Sequence, residues 1–246
     1  ALEISKTIKS AENIHTVAYV DTAAYSAGAL IALACKEIII RDGGRIGDCA
    51  PIIMQGELKG TEREKAESPV RTEFRDSARR NKYNELLAQS MVSMDISVYK
   101  IEKIEHLQTG EFRYVNKRDV RLLTDYDPRV EELGKVLPTE GKKTEAKKWK
   151  YLKTVVNSKQ LLTMTETEAK EYGFAKAIVK SEQEAQAYLG VSDWELWQYD
   201  WGEIAVAFLN SMAMTGLLTG VGLLALYVAL NTPGFGVPEV VALVCF

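Results

Sequence analysis

Cysteine and histidine are both scarce in this sequence, which contains 3 cysteines and 2 histidines among its 246 residues. None of the cysteines, Cys35, Cys49 and Cys245, belongs to a C-x-x-C pair, and their odd number gives no disulfide framework. Because a structural zinc site takes about four sulfur or nitrogen ligands, we expect neither a metal site nor a cofactor. Cys35 lies in an apolar run and should be buried, whereas Cys49 follows a turn and is the one cysteine that we expect to be exposed.

An excess of basic residues is missing as well, since the net charge is −3 and the pI is about 5.7. Nucleic-acid-binding domains usually carry a basic excess, so we expect no nucleic-acid partner. The basic residues that do cluster, from Lys142 to Lys153, are interleaved with glutamate and threonine. This pattern is typical of a solvated loop.

Charge is absent altogether from one long stretch, residues 204–230. About 20 apolar residues suffice to cross a bilayer, so the sequence predicts a transmembrane helix over 204–230 and an integral membrane protein in contact with lipid. The alternative is a buried core helix, but core helices rarely reach this length without a charged residue. The aromatic residues Trp194, Trp197, Tyr199 and Trp201 precede the stretch and are typical of the belt at a membrane surface.

The flanks of this stretch bear on topology and on the extent of the chain. Residues 180–203 have an excess of acidic side chains, so the positive-inside rule predicts that the preceding domain is extracytoplasmic. A new apolar run begins within 231–246, and we expect it to start a second membrane segment. The chain opens in the middle of an amphipathic helix, so we expect natural sequence before Ala1 and after Phe246.

The N-terminal part alternates between helical and strand patterns. A helical pattern over 2–12 precedes a β-branched and aromatic run at 15–20. An apolar helix at 26–35 then leads to a second strand at 37–40. This alternation predicts an α/β fold with a mainly parallel sheet.

Helix caps mark the remainder of the soluble part. Ser68 followed by Pro69 predicts a helix start, with the serine as N-cap and the proline in the first helical position. Thr165 and Glu168 form a T-x-x-E capping box, which predicts another helix. We divide the chain into a domain at 1–190 with a charged insertion at about 116–150, a juxtamembrane linker at 191–203, the transmembrane helix at 204–230 and the beginning of a further membrane segment at 231–246.

Ser26 is the strongest candidate for a reactive side chain. It lies between a predicted strand and an apolar helix, and the small residues Ala27, Gly28 and Ala29 follow it. A serine at such a point can meet a substrate, and the helix N-terminus supplies N–H groups and partial positive charge for an oxyanion. The alternative is that Ser26 only caps the helix, a role for which serine is a preferred residue.

A serine nucleophile needs a base. His15 precedes the first strand and should lie at the opposite end of it from Ser26, and His106 lies in the variable middle of the chain. These positions disfavour a Ser-His-Asp triad. A lysine whose pKa is lowered by burial is the other option, but lysines are plentiful and spacing alone does not select one.

Four stretches resemble, in order, the NfeD-type membrane-bound serine proteases, which are relatives of signal peptide peptidase A and ClpP. They are AYSAGALIALACKEIIIRDGGRIGDCAPI around Ser26, KAESPVRTEFRDSA at 65–78, LLTMTETEAKEYGFAKAIV and LNTPGFGVPEVVALVCF. The resemblance implies a ClpP/crotonase-like fold of repeated ββα and βα units with a mainly parallel sheet, followed by a transmembrane helix. It also implies a Ser-Lys dyad with Ser26 as nucleophile and Lys65 as general base.

The same resemblance implies a membrane-anchored serine endopeptidase that cleaves hydrophobic segments of membrane-associated proteins. Stomatin-like proteins would be its partners, and the enzyme would form a homo-oligomer. The family's P-G-G sequence, whose backbone donates to the oxyanion hole, is absent here, so the backbone N–H of Ala27 is the one donor that we assign. Asp48, Arg63 and Glu64 have no assigned role, although a carboxylate close to Lys65 would raise the pKa of the lysine and oppose the mechanism.

Two other functions are compatible with these patterns. One is a membrane scaffold for stomatin- or flotillin-like proteins that has no protease activity, and it predicts binding that does not depend on Ser26. The other is a crotonase-like acyl-CoA enzyme, which predicts binding of CoA thioesters. The long membrane anchor and the sequence around Lys65 disfavour the acyl-CoA enzyme.

Overall fold

The structure is a computed structural model that describes residues 1–52, 59–104, 110–129, 148–195, 200–231 and 236–245. The chain divides into two compact units, Ala1–Ser192 and Asp193–Phe246, and each is described by itself. Several features predicted from the sequence lie outside the described residues, namely His106, Trp197, Tyr199, and most of the insertion at 116–150.

The first unit is a mixed α/β structure. Its helices are α1 (Leu2–Ser10), α2 (Ala27–Ala34), α3 (Gly60–Asn81), α4 (Glu85–Ser90), α5 (Lys117–Leu123), α6 (Glu166–Glu171) and α7 (Glu182–Leu189). Its strands are β1 (Val17–Val20), β2 (Ala23–Tyr25), β3 (Glu37–Arg41), β4 (Arg45–Gly47), β5 (Val98–Lys103), β6 (Phe112–Val115), β7 (Trp149–Val156), β8 (Thr163–Thr165) and β9 (Ala177–Val179). The helices and strands predicted at 2–12, 15–20, 26–35 and 37–40 are confirmed as α1, β1, α2 and β3.

Sheet A consists of β1, β3 and β9 in that order, and all of its pairings are parallel. The central strand β3 carries Ile38, Ile39 and Ile40, none of which has any solvent exposure. A continuous apolar run of this kind is what a parallel strand needs when both of its faces are covered. Helix α2 follows the turn after β2 and packs on this sheet through residues such as Leu33, which is fully buried.

Sheet B consists of β2, β4 and β8, and it is mixed because β2 pairs with β4 in parallel and β4 pairs with β8 antiparallel. Both β2 and β4 are three residues long, which is too short for a hydrophobic period to reveal them in the sequence. This sheet ends directly before Ser26, because Tyr25 is the last residue of β2 and pairs with Gly47.

Sheet C is antiparallel, with the order β6-β5-β7. It surrounds a small second core that contains Tyr99, Ile101, Val115 and Trp149. Strand β7 begins within the basic cluster from Lys142 to Lys153, which the sequence predicted to be a solvated loop. The expected mainly parallel arrangement therefore holds for sheet A, for half of sheet B and not for sheet C.

Helix α3 starts earlier than the sequence predicted. It begins at Gly60 and contains Pro69 in its interior, so the prediction of a helix start at Ser68-Pro69 is wrong. The residues before the proline include glutamate, arginine, lysine and alanine, all of which favour helix. An interior proline costs roughly 3 kcal/mol because it lacks an N–H and crowds the carbonyl four residues before it, here that of Lys65.

The second unit contains the helices α8 (Trp201–Leu209), α9 (Met212–Asn231) and α10 (Val237–Cys245), and α9 packs on α10. The one helix predicted over 204–230 is thus divided in two at Asn210 and Ser211. The physical reason is a new N-terminal cap, in which the Ser211 hydroxyl accepts a hydrogen bond from Met214 N–H at 3.3 Å. Helix α9 is long and apolar enough to cross a membrane.

Candidate active site

A sharp turn between β2 and α2 presents Ser26. The residue has φ 50° and ψ −118°, a backbone conformation that residues other than glycine seldom adopt. Strained strand-to-helix turns of this kind hold the nucleophile of many hydrolases, because they raise the side chain above the neighbouring backbone. The geometry therefore resembles that of a nucleophile elbow.

The Ser26 side chain is exposed and does not cap α2. Its hydroxyl makes no hydrogen bond with the described residues. The alternative interpretation, in which this serine serves only as the N-cap of α2, is thus wrong, since a cap is defined by the hydrogen bond that its side chain accepts. The hydroxyl is available to react with a substrate or a labelling reagent.

Backbone and thiol hydrogen bonds hold Ser26 on both sides. Its N–H donates to the carbonyl oxygen of Asp48 at 2.8 Å, and its own carbonyl oxygen accepts from the Cys49 thiol at 2.9 Å. The segment that provides both contacts is fixed in turn, because Asp48 N–H donates to Leu162 O at 3.1 Å and Cys49 N–H to Met91 O at 2.7 Å. Asp48, to which the sequence assigned no role, thus positions Ser26 through its backbone.

Cys49 is buried, with 5% of its surface exposed, so the expectation of an exposed thiol is wrong. The reason is that Cys49 belongs to the main hydrophobic core, where its thiol donates to the carbonyl oxygen of Ser26. Burial raises the pKa of the Cys49 thiol to about 11. The thiol is therefore protonated at neutral pH and remains a hydrogen-bond donor to Ser26 O.

Gly47 shows why this segment can approach β8 so closely. A Cβ atom at this position would lie 2.3 Å from the carbonyl oxygen of Leu162, and the residue has φ +141°. Only glycine fits both the space and the backbone angle. Gly47 therefore couples sheet B to the contacts that hold Ser26.

The N-terminus of α2 supplies backbone donors next to Ser26. The first hydrogen bond of the helix runs from Leu30 N–H to Ser26 O at 3.2 Å. The amides of Ala27, Gly28 and Ala29 precede it and have no partner within the helix. Ala27 is exposed and directly follows Ser26, so its N–H is placed where an oxyanion donor is needed.

Lys65 lies on α3, one of the helices that pack against α2. Its side chain is exposed and makes no hydrogen bond or ion pair with the described residues. Neither Ser26 Oγ nor Lys65 Nζ bonds the other in the described part of the chain. The structure thus places the two predicted residues on adjacent helices without a direct contact between them.

A buried carboxylate lies two residues from Lys65. Glu67 has 4% of its surface exposed and accepts hydrogen bonds from Arg63 Nε at 2.5 Å and from Ser93 Oγ at 2.6 Å. A buried charge needs such partners, since its desolvation would otherwise cost several kcal/mol. The role of Glu67 could not be predicted from the sequence, because Ser93 belongs to the loop after α4 and no local pattern relates the two residues.

The Glu64 carboxylate is also paired with an arginine. Its carboxylate forms an ion pair with Arg71, which in addition donates a hydrogen bond to Ser93 Oγ at 2.8 Å. Glu64 and Glu67, the two carboxylates within two residues of Lys65 in the sequence, are therefore both paired with arginines. Neither of these two carboxylates forms an ion pair with Lys65.

His15 lies at the end of β1 opposite to the end from which the chain continues to Ser26. Its Nε2 lies 3.1 Å from Glu37 Oε2, and this contact is at the amino ends of β1 and β3. Ser26, in contrast, follows the carboxyl end of β1 by way of β2. Among the described residues no group of three histidine, cysteine or acidic side chains could hold a metal ion.

The fold and the site together define the class of protein, a mixed α/β protein with an exposed serine at an elbow. Residues 1–144 match the NfeD1b N-terminal domain family. This match covers more than half of the chain, so the chain belongs to the NfeD1b family, and the resemblance drawn from its motifs is confirmed. No curated protein matches the sequence.

Two solved structures are similar to the chain at low identity. One is a serine-to-alanine mutant of the 1510-N membrane-bound stomatin-specific protease, with 16% identity and a TM-score of 0.43 over 76% of this chain and 60% of that chain. The other is a lysine-to-alanine mutant of the same protease in complex with a substrate peptide, with 13% identity and a TM-score of 0.45 over 83% of this chain and 74% of that chain. The chain thus spans less than two thirds of the first of these proteins.

Proposed function

We propose that the chain is the membrane-anchored serine endopeptidase part of an NfeD1b protein, with Ser26 as nucleophile and Lys65 as general base. The observation that carries the proposal is the Ser26 elbow, in which a strained, exposed serine has a hydroxyl free of any capping role. A strained backbone persists only where surrounding contacts maintain it, and such residues cluster at functional sites.

In the proposed reaction Ser26 Oγ attacks the carbonyl carbon of a peptide bond while neutral Lys65 takes the hydroxyl proton. The N–H of Ala27 donates to the oxyanion that forms. Collapse of this intermediate releases the amine, which receives the proton from Lys65, and leaves an acyl-enzyme on Ser26. Water then attacks the ester, Lys65 accepts its proton, and the acid product leaves as the proton returns to Ser26.

Catalysis by this pair requires Lys65 to reach Ser26 and to lose its proton. We propose that a bound substrate orders the first turns of α3 against α2 and desolvates the lysine, which lowers its pKa. Pro69 makes this movement feasible, because it interrupts the hydrogen bonds of α3 just after the segment that carries Lys65.

The proposal also includes a fold family, an oligomeric assembly and a class of substrate. We expect a ClpP/crotonase-like arrangement of sheets A and B, a homo-oligomer, and an extracytoplasmic first unit anchored by α9. Hydrophobic segments of membrane-associated proteins are the proposed substrates. The name of the 1510-N protease makes a stomatin-like protein the first substrate to test.

The test is labelling of the full chain in detergent or vesicles with a fluorophosphonate probe between pH 6 and 9. We expect labelling of the wild type, complete loss in Ser26→Ala and a large loss in Lys65→Ala. Ser10→Ala and Lys176→Ala are matched controls, since both residues are exposed and lie outside the site, and both should label like the wild type.

Labelling that survives Ser26→Ala would remove this serine from the mechanism. A folded wild type that does not label, but still binds a stomatin-like protein, would replace the peptidase by the scaffold. Labelling that needs Ser26 but is unchanged in Lys65→Ala would keep the nucleophile and assign the base elsewhere.

A further inference from the structure

We propose that α8 does not extend the membrane span but lies along the bilayer surface, with one apolar face in the boundary between headgroups and acyl chains. This face, which we call the α8 apolar face, consists of Trp201, Ile204, Ala205, Phe208 and Leu209. The inference rests on α9 spanning the bilayer, as proposed above, and its test examines that point separately.

The length of α9 leaves no room for α8 in the hydrocarbon region. Helix α9 has 20 residues, which at about 1.5 Å per residue amount to roughly 30 Å, the thickness of the hydrocarbon core. A continuous helix that also included α8 would be roughly 45 Å long by the same rise per residue. The length of such a helix exceeds the thickness of the hydrocarbon core by about half, so α8 must lie outside the hydrocarbon core.

The structure closes α8 before α9 starts. Asn210 N–H donates to Val206 O at 2.9 Å and Ser211 N–H donates to Phe208 O at 3.1 Å, which completes the last turn of α8. Ser211 then opens α9, since its carbonyl oxygen accepts from Thr215 N–H at 2.9 Å. Two helices with separate ends can take different directions at this point.

The residues of α8 divide into two faces at helical spacing. Trp201, Ile204 and Phe208 recur at intervals of three and four and therefore lie on one side. The rest of the helix surface carries Glu203, the small residues Gly202 and Ala207, and one larger apolar residue, Val206. No residue of α8 is buried, and Trp201 is 80% exposed, so nothing described in the protein covers the apolar side.

The bilayer is the occupant that the neighbouring residues favour. Helix α8 is joined to the membrane-spanning helix through Asn210 and Ser211, so it cannot move far from the surface. Its N-terminus is held by a capping box of Asp200 and Glu203, two carboxylates that belong in water. Tryptophan at such a boundary is typical of an interfacial helix, because its ring is apolar and its N–H remains close to water.

The test measures the depth of single tryptophans in the full chain. The Trp149→Phe, Trp194→Phe and Trp197→Phe substitutions leave Trp201 as the one tryptophan, and the protein is reconstituted into phosphatidylcholine vesicles brominated either near the headgroup or near the acyl-chain end. We expect Trp201 to be quenched at least twofold more by the shallow bromine than by the deep one.

A matched pair of tryptophan variants tests whether only the α8 apolar face contacts the bilayer. In the background that also carries Trp201→Phe, we introduce Phe208→Trp or Ala207→Trp, two neighbouring positions about 100° apart around the helix, of which only position 208 belongs to the α8 apolar face. Shallow quenching should be strong for Phe208→Trp and at least twofold weaker for Ala207→Trp. Leu223→Trp, in the middle of α9, should be quenched most by the deep bromine and reports whether α9 spans the membrane.

The outcomes separate the alternatives. Deep quenching at position 208 would mean that α8 continues the span and would overturn the proposal. Equal quenching at 207 and 208, or no quenching at either while Leu223→Trp is quenched, would overturn it as well, the latter because α8 would then be covered by protein. Absence of deep quenching at Leu223→Trp would instead contradict the membrane anchor of the proposed function.

Discussion

The two halves of the candidate site are held in different ways. Ser26 is positioned by backbone and thiol hydrogen bonds to Asp48 and Cys49, which are themselves bonded to distant segments. Lys65 lies on an exposed part of α3, where ion pairs within the helix and side-chain hydrogen bonds with Ser93 form a charged cluster that has Glu67 at its centre. The nucleophile is therefore pre-organised, whereas the position of the base depends on a charged cluster that can rearrange.

The largest expected effect comes from breaking the support of the Ser26 elbow at Gly47. In Gly47→Ala the new Cβ would lie 2.3 Å from Leu162 O, so β4 and β8 must separate. We expect the free energy of unfolding to fall by about 3 kcal/mol, and fluorophosphonate labelling to be lost. Thermal unfolding followed by circular dichroism, together with labelling, checks both.

Gly43→Ala is the matched control for this prediction. Gly43 has φ +81° but a Cβ there would meet no atom within 4 Å. We expect the free energy of unfolding to fall by only about 1 kcal/mol, because the backbone angle alone is unfavourable for alanine, and we expect labelling to be retained. Equal losses for the two variants would mean that the close approach at Gly47 has no role in the site.

The next largest effect tests the charged cluster on α3. Glu67→Gln removes the charge that Arg63 and Ser93 contact, and leaves the buried ends of those contacts poorly paired. We expect a loss of about 2 kcal/mol in the free energy of unfolding, with several-fold slower labelling.

Glu64→Gln is the comparison, since Glu64 also pairs with an arginine but is 60% exposed. Exposed ion pairs contribute less than about 1 kcal/mol, so its stability and labelling should stay close to those of the wild type. If Glu64→Gln proved as damaging as Glu67→Gln, burial of Glu67 would not be what matters.

A smaller effect is expected from the thiol beside the nucleophile. Cys49→Ala removes the donor to Ser26 O and should lower the free energy of unfolding by about 1 kcal/mol. We also expect slower labelling of Ser26. Cys49→Ser keeps a donor in the same place and should label faster than Cys49→Ala. The order of labelling rates is the measurement, and the reverse order would show that packing of the sulfur, not its hydrogen bond, supports the elbow.

The smallest effect concerns an exposed contact outside the site. Lys100 and Lys153 contact Glu171 at 2.7 and 3.3 Å, and the hydrogen bond from Lys100 is the main cause of a lowered pKa for Glu171. A lowered pKa adds stability above the unfolded value of about 4.3, and this stability is lost as the pH falls through the folded value.

The difference in unfolding free energy between the wild type and Glu171→Gln should therefore be present at pH 7 and vanish toward pH 3. We expect less than about 1 kcal/mol, because Glu171 is partly exposed. A difference for Glu171→Gln that grew as the pH fell would contradict the lowered pKa.

Much of the first unit could be predicted because its signals are local. Apolar runs predict helix α2 and strand β3, and the capping box of Thr165 and Glu168 is formed as its spacing predicts. The position of Ser26 ahead of a helix also followed from the sequence. The start of α3 was mispredicted, because Pro69 is a local signal that strong helix formers before it override.

By itself the sequence determined the alternation of helices and strands, the apolar stretch that contains α9, and Ser26 as the candidate nucleophile, since each depends on residues close together in the chain. Tertiary structure alone decided the strained angles of Ser26, the burial of Cys49 and the division of charges around Glu67. Those features arise from hydrogen bonds to Leu162, Met91 and Ser93, and no periodicity or cap relates residues so far apart in sequence. Three-residue strands such as β2 and β4 belong to the same group, because their stability comes from pairing partners and not from their own composition.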